Sequence, residues 1–341
     1  MPTFVPAALR LRIDADALAE NFRWFQARAG VAAIPAIKAD GYGLGARLVV
    51  KRLEEAGARA FAVSTWAEAI ALGRPDLTTL ILHGFTPDCA AAAAALPLAR
   101  PVLNTALQCA QWSLAFPGRP ADLMVDTGMN RLGLRPDELS AANSVPLHMV
   151  HSHLACADLP DHPLTERQLA VFHDVVASTP GKLHALANSA GICLGRRFSF
   201  DAVRPGLGLY GGVPHPEAQV RPVVVPEVRV IQMRTVKQGE TVGYGATWRA
   251  SRKSSIAILN VGYADGIFSE LESLVSHAGT PMPSAGRLSM DMLAVDATGF
   301  DVCEGDWLRL DLDLPRISAT SGISQYRLLV GLSQRFERRW T

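Results

Sequence analysis

The sequence predicts an α/β fold, a (β/α)8 barrel followed by a mainly-β domain. Short apolar runs alternate with longer amphipathic segments, the alternation stops near Gly212, and the residues beyond it turn to proline-punctuated, β-branched patterns. Alternation of that length favours a parallel barrel, because each parallel strand needs a crossover and a helix supplies it. An open doubly wound sheet is the alternative.

Leu9–Ile13 reads as a strand ahead of a helix over Ala15–Ala29, and it belongs either to the barrel or to the β-domain. The barrel strands are expected at Val31–Ile37, Ala60–Ser64, Thr79–His83, Pro101–Leu103, Ala121–Val125, Leu147–His151, Lys182–Leu186 and Asp201–Val203. Leu44–Ala56, Thr105–Phe116 and Pro163–Ser178 have the spacing of helices that cover such strands. Later strands are expected at Val223–Thr235, Ser255–Val261, Leu274–His277, Met292–Val295 and Trp307–Leu310. The expected division is 1–13 for the first strand, 14–212 for the barrel and 213–341 for the β-domain.

A chain of 341 residues, 49% hydrophobic, can bury the cores of both parts. Its net charge of +1, without a long basic run, argues against nucleic acid or an anionic membrane as partner. The longest apolar run, Cys89–Ala99, is alanine-rich and too short to span a bilayer, so it reads as a packed helix. Met1–Arg10 lacks a charged segment followed by an apolar signal core, and the expected location is the cytoplasm. Five cysteines without paired CxxC spacing argue against a disulfide framework and a zinc site, so no metal is expected.

Lys38 ends the run Val31–Ile37 and enters Ala39-Asp40-Gly41-Tyr42-Gly43-Leu44-Gly45. Desolvation at the end of a buried strand lowers a lysine's pKa and frees its amine to attack an aldehyde. Taken alone, the same residue also reads as a stem on apolar surface with its ammonium in water. Gly41, Gly43 and Gly45 do not form a P-loop, because the Lys-Ser/Thr ending is missing. His151 and His153 face one side of a strand, yet no third ligand has suitable spacing for a metal. Asn188-Ser189 can open a helix and Arg204-Pro205-Gly206-Leu207 permits close backbone approach, a pairing suited to phosphate after the seventh and eighth strands. Lys38, Arg131, His153, Asn188, Ser189 and Arg204 all follow the C-terminal ends of expected strands, where barrels carry their chemistry.

The lysine segment resembles that of the alanine racemase family. The resemblance continues, in order, through Asp126-Thr127-Gly128-Met129-Asn130-Arg131-Leu132-Gly133, Ser152-His153-Leu154-Ala155-Cys156-Ala157-Asp158, Ala187-Asn188-Ser189-Ala190, Arg204-Pro205-Gly206, Val242-Gly243-Tyr244-Gly245, Gly262-Tyr263-Ala264-Asp265-Gly266 and Ser289-Met290-Asp291. It implies a pyridoxal 5'-phosphate enzyme that interconverts L-alanine and D-alanine, works as a homodimer with shared sites and supplies D-alanine for the bacterial cell wall. By the same resemblance Lys38 holds the cofactor's aldehyde, and Tyr42, Ser189, the amides of Gly206 and Leu207, and Tyr326 hold its phosphate. His153 and Asn188 join the cofactor site, Arg204 faces the pyridine nitrogen, and Arg131 with the amide of Met290 takes the substrate carboxylate.

Racemisation needs a base on each face of the substrate, and the resemblance assigns these to Lys38 and to Tyr244 of the partner subunit. A phenol titrates near ~10 in water, so such a base needs neighbours that stabilise phenolate, and a chain through His153 to Arg204 is implied. A guanidinium does not readily give the ring nitrogen its proton, and an unprotonated ring is a weaker electron sink, which favours proton return over decarboxylation, transamination or elimination.

Two departures stand out. Asp40-Gly41 and Leu44 replace the family's frequent Asn-Ala and His, and Met124 stands where many relatives carry a lysine, reported to be carbamylated, that orients the substrate-binding arginine. Another group must therefore position Arg131. Rival readings are a racemase of serine or other small amino acids, a barrel-type decarboxylase with a faint likeness at Cys303-Glu304-Gly305-Asp306, and a non-enzymatic cofactor carrier; Tyr244 and Arg204 argue against the second, and the residues after Gly212 against the third.

Overall fold

The computed structural model describes residues 8–268 and 275–341. Among the described residues two compact units emerge, one of Asp16–Arg221 and one that joins residues 8–15 to the residues from Pro222 to Thr341. No helix among the described residues is long and apolar enough to cross a membrane.

In the second unit, β1 (Leu9–Ile13) buries alternate residues, as an amphipathic strand should. The Asp16–Arg221 unit is an eight-stranded parallel barrel built from β2 (Ala32–Ala33), β3 (Ala60–Val63), β4 (Thr78–Ile81), β5 (Arg100–Leu103), β6 (Ala121–Met124), β7 (Leu147–His151), β8 (Leu183–Asn188) and β9 (Ala202–Arg204). Strand β9 lies between β8 and β2, and the ring closes where Ala36 bridges Ala62 and the amide of Ile37 reaches the Ala62 carbonyl at 2.8 Å. Ile34, Ala62, Leu80, Val102, Met124, Met149, Ala185 and Ala202, one residue at each strand, form a single apolar cluster. Met124 thus fills barrel core. The parallel closure decides against an open sheet.

Several boundaries differ from the sequence reading. Regular pairing of β2 covers only Ala32–Ala33, because Pro35 cannot donate a ladder hydrogen bond. Strands β8 and β9 run further than expected, so Asn188 and Arg204 are their last residues rather than residues beyond them.

In the other unit β10 (Val224–Val236) organises the sheet. Its first half pairs with β1, and a register shift between Val230 and Gln232 turns its second half onto β13 (Ser254–Leu259), after the short β11 (Thr241–Val242) and β12 (Trp248–Arg249). β14 (Val275–His277), β15 (Thr280–Met282), β16 (Leu293–Asp296) and β17 (Trp307–Leu310) extend it, and β18 (Phe336–Trp340) pairs in parallel with β1. Of the strand expected at Leu274–His277, Leu274 lies outside the described residues.

Candidate active site

Lys38 opens a turn that few L-residues adopt. Ala39, Asp40 and Tyr42 have φ of +53°, +53° and +55°, with Gly41 at +64° between them. Each non-glycine residue there costs roughly 1–2 kcal/mol, so the turn needs external support. The Glu68 carboxylate accepts from the Ala39 amide at 2.8 Å while its other oxygen accepts from the amides of Ser64 and Thr65, the second within a capping box. Asp40 accepts from the Ala46 amide at 2.8 Å, and the Tyr42 ring stacks on Tyr210 at 4.4 Å. The Asp40-Gly41 departure therefore suits this turn, since aspartate and glycine tolerate positive φ and the carboxylate also caps the first amide of the helix Ala46–Glu55. Lys38 is half-buried; burial lowers its pKa first, then the charge of Arg131, with Glu68 opposing and Arg204 adding to the lowering.

Arg204 is only 6% exposed. Its Nη1 donates to Nδ1 of His151 at 3.0 Å and to the Ala185 carbonyl at 2.9 Å; its Nη2 donates to the Ser152 carbonyl and lies 3.5 Å from Nδ1 of His153. Burial lowers the guanidinium pKa to about 10, with the Asp122 charge opposing. The carbonyl bonds fit a structural arginine as well, but Nε takes part in none of these contacts. Burial, and then the charge of Arg204, lowers the His153 pKa to about 3, so this imidazole is neutral.

Ser189 and Gly206 meet. The Ser189 hydroxyl accepts from the Gly206 amide at 2.8 Å and the Gly208 amide at 3.4 Å, leaving its own proton to donate elsewhere. A methyl added at Gly206 would lie 2.5 Å from the Tyr42 hydroxyl, so glycine is what lets that hydroxyl approach the backbone. Two hydroxyls and a backbone segment thus gather at one point. Asn188 plays a different part: its side chain caps the next turn through the Gly191 amide at 2.9 Å. Leu207 is buried in the turn after Gly206.

Arg131 is exposed, in a loop tied at its base. Asp126 Oδ1 accepts from the amides of Gly128, Met129 and Asn130 at 2.9, 2.8 and 3.1 Å, and Leu134 pairs back to Met124 and Asp126. This supports the backbone leading to Arg131 where Met124 offers its guanidinium no partner.

The remaining candidates lie in the β-sheet unit. Tyr244 is 74% exposed, between Gly243 and Gly245, which both have positive φ. Met290 is 54% exposed in a loop stitched to its neighbour by Tyr263 N to Ser289 O at 3.0 Å and Ala264 N to Met290 O at 3.1 Å. Arg335 pins that loop through Asp291 at 2.8 Å and the buried Asp265 at 2.7 Å. Tyr326, 47% exposed, stands on the helix Gln325–Val330. The barrel unit therefore brings together Lys38, Arg131, His153 and Arg204 electrically, and Tyr42, Ser189 and Gly206 by contact.

Sequence reading missed Glu68, Asp122 and Tyr210, and gave no role to Asp126, which opens the motif that carries Arg131. Thr65-x-x-Glu68 carried a capping signature, and Asp122 stood as a charged residue inside an apolar run.

A barrel that presents a half-buried lysine beside a buried arginine and a hydroxyl-lined cradle at its strand ends defines an enzyme of the lysine-bearing barrel class. Models of the alanine racemase N-terminal and C-terminal domains match residues 13–214 and 223–340, and the chain belongs to the alanine racemase family, whose members are isomerases. It is similar to the alanine racemases of Jannaschia sp., 38% identical over 97% of this chain and 98% of that one, and of Dinoroseobacter shibae, 39% identical over 98% of each. Among solved structures it resembles the alanine racemase from Bartonella henselae with covalently bound pyridoxal phosphate, with TM-score 0.90 and 31% identity over 98% of this chain and 100% of that chain. It also resembles the biosynthetic alanine racemase from Pseudomonas aeruginosa, with TM-score 0.88 and 33% identity over the same shares.

Proposed function

We propose that the protein interconverts L-alanine and D-alanine by a two-base mechanism, with pyridoxal 5'-phosphate held in the barrel and the second base supplied across a cytoplasmic homodimer. The observation that carries this is the arrangement at the barrel's strand ends: an amine whose pKa is lowered, a buried guanidinium with Nε uncommitted, and the Ser189–Gly206–Tyr42 cradle. These suit the group's aldehyde, its pyridine nitrogen and its phosphate in turn.

When bound, the cofactor supplies an electron sink that acidifies the α-carbon proton of the amino acid joined to it. Lys38 would hold the group between turnovers and, with its amine free during turnover, would take or return a proton at Nζ on one face of the substrate. Tyr244 of the partner subunit does the same at its phenolic oxygen on the other face. His153, neutral with Nδ1 toward Arg204, would carry its proton on Nε2 and donate it to that phenolic oxygen. Arg204, through Nε, would donate to the ring nitrogen without surrendering a proton readily, which would hold the chemistry to proton exchange. Asn188 lines the site, the Gly206 and Leu207 amides with Tyr42, Ser189 and Tyr326 of the partner subunit hold the phosphate, and Arg131 with the Met290 amide of the partner subunit receives the carboxylate. The product D-alanine would serve bacterial cell-wall synthesis.

The exposed Tyr244, Met290 and Tyr326 side chains are consistent with the homodimer, since each is accessible for a partner subunit to cover. Chiral analysis of each of the twenty amino acids after incubation with the holoenzyme tests this reading. D-alanine should accumulate from L-alanine faster than any other product forms; release of carbon dioxide, or binding without turnover, contradicts it.

A further inference from the structure

We propose that Asp122 and His151 are a buried positioning pair for Arg204, directing its guanidinium and balancing its charge from inside the barrel. The proposal rests on reading Arg204 as the partner of the pyridine nitrogen. Alternation along each strand puts Asp122 on the face of Met124, His151 on the face of Met149 and Arg204 on the face of Ala202, all facing the barrel interior. Arg204 on β9 reaches past Ala185 of β8 to His151 on β7, and His151 Nε2 lies 3.0 Å from Asp122 Oδ2 on β6. The other Asp122 oxygen accepts from Arg100 Nε at 2.9 Å. Asp122 and His151 are both fully buried.

The direction of these bonds is forced. A guanidinium only donates, so His151 Nδ1 must accept, and a neutral imidazole then carries its proton on Nε2 and gives it to Asp122. Burial, the largest influence on His151, favours that neutral form. One carboxylate therefore stands between two cations, bound to Arg100 directly and to Arg204 through an imidazole.

A bond chain of this kind is a poor device for stability alone, because replacing a buried ion pair with apolar residues is often neutral or stabilising. The adjoining inner-face layer of Ile34, Ala62, Leu80, Val102, Met124, Met149, Ala185 and Ala202 is apolar. What polar residues add here is direction: His151 and Ser152 O at the end of β7 and Ala185 O on β8 hold both Nη atoms and leave Nε as the uncommitted donor. Removing the imidazole leaves an Arg204 N–H and an Asp122 oxygen unpaired and releases the guanidinium plane.

The test compares H151F, H151Q and D122N as holoenzymes, reading the cofactor's absorbance maximum together with kcat and KM for alanine. H151F keeps a ring and removes both bonds; it should shift the maximum and lower kcat roughly ten- to a hundredfold, the size of one hydrogen bond to a charged group, while KM changes little. H151Q, which can still donate to Asp122, should return most of both. Should H151F not fold, D122N takes its place and should also shift the maximum. In wild type without added cofactor, 15N spectra of labelled histidine should show His151 protonated on Nε2 and not on Nδ1. A folded H151F or D122N with the wild-type maximum and kcat, or a His151 protonated on Nδ1, overturns the proposal. If wild type binds no cofactor, the reading of Arg204 fails, and the 15N pattern still decides the pair.

Discussion

The two units hold their candidate residues in opposite ways. In the barrel unit Arg204 is 6% exposed and bonded at both Nη atoms, while Ser189 and Tyr42 are buried against backbone that only glycine could supply. In the β-sheet unit Tyr244, Met290 and Tyr326 are about half or more exposed, with the Met290 loop held by its neighbour and Tyr326 carried on a helix. A buried charge must find most of its partners within its own fold before anything binds, as Arg204 does at both Nη atoms, whereas an exposed aromatic becomes part of a site when another surface covers it. The proposed dimer fits that difference.

The largest effect should come from Lys38. K38A should lose the covalently trapped cofactor and at least roughly a thousandfold in racemisation, the scale of a lost nucleophile and base; a borohydride-trapped adduct in K38A, together with wild-type turnover, would place the anchor elsewhere. Next is Arg131, whose charge-assisted contact with the carboxylate should be worth about 1.5–3 kcal/mol. R131A should therefore lower kcat/KM for alanine roughly ten- to a hundredfold, mostly through KM, and an unchanged KM would show that the tied loop delivers some other group.

The barrel side of the comparison also has a pH signature. His151 titrates at about 4 in the folded chain against 6.5 ordinarily. Between those values the unfolded chain binds a proton that the folded chain refuses, so stability falls as pH drops from 6.5 toward about 4, by up to about 1.4 kcal/mol per pH unit for this group. Urea titrations of wild type and H151Q, both without cofactor, should give a shallower acid slope for the variant; parallel slopes would show that His151 is already charged when folded. The smallest effect is expected at Tyr326, where Y326A should raise kcat/KM for serine relative to alanine by at most roughly tenfold, the low end of the range for one added group in a pocket. An unchanged ratio, with cofactor occupancy preserved, removes it from specificity.

The barrel was legible because each strand carries an apolar run for its inner face, and those residues form one cluster. Ends were harder: whether Asn188 or Arg204 still pairs depends on the register of the neighbouring strand. Lys38 and Arg204 stood out through the family motifs. The supports of Arg204 did not, because Asp122 and His151 lie 29 positions apart and His151 and Arg204 53. A charged residue in the buried stretch Ala121–Met124 was the available signal, since such a group must find a partner. The positive-φ turn after Lys38 was likewise hidden, as its stabilising carboxylate is 29 residues away.

Subunit complementation tests the shared site most directly. K38A and Y244F homodimers should each be nearly inactive; when mixed in equal amounts with subunit exchange verified, they should recover about a quarter of wild-type racemisation, because half the dimers are mixed and each has one of two sites intact. No recovery would contradict a site built from Lys38 of one subunit and Tyr244 of the other.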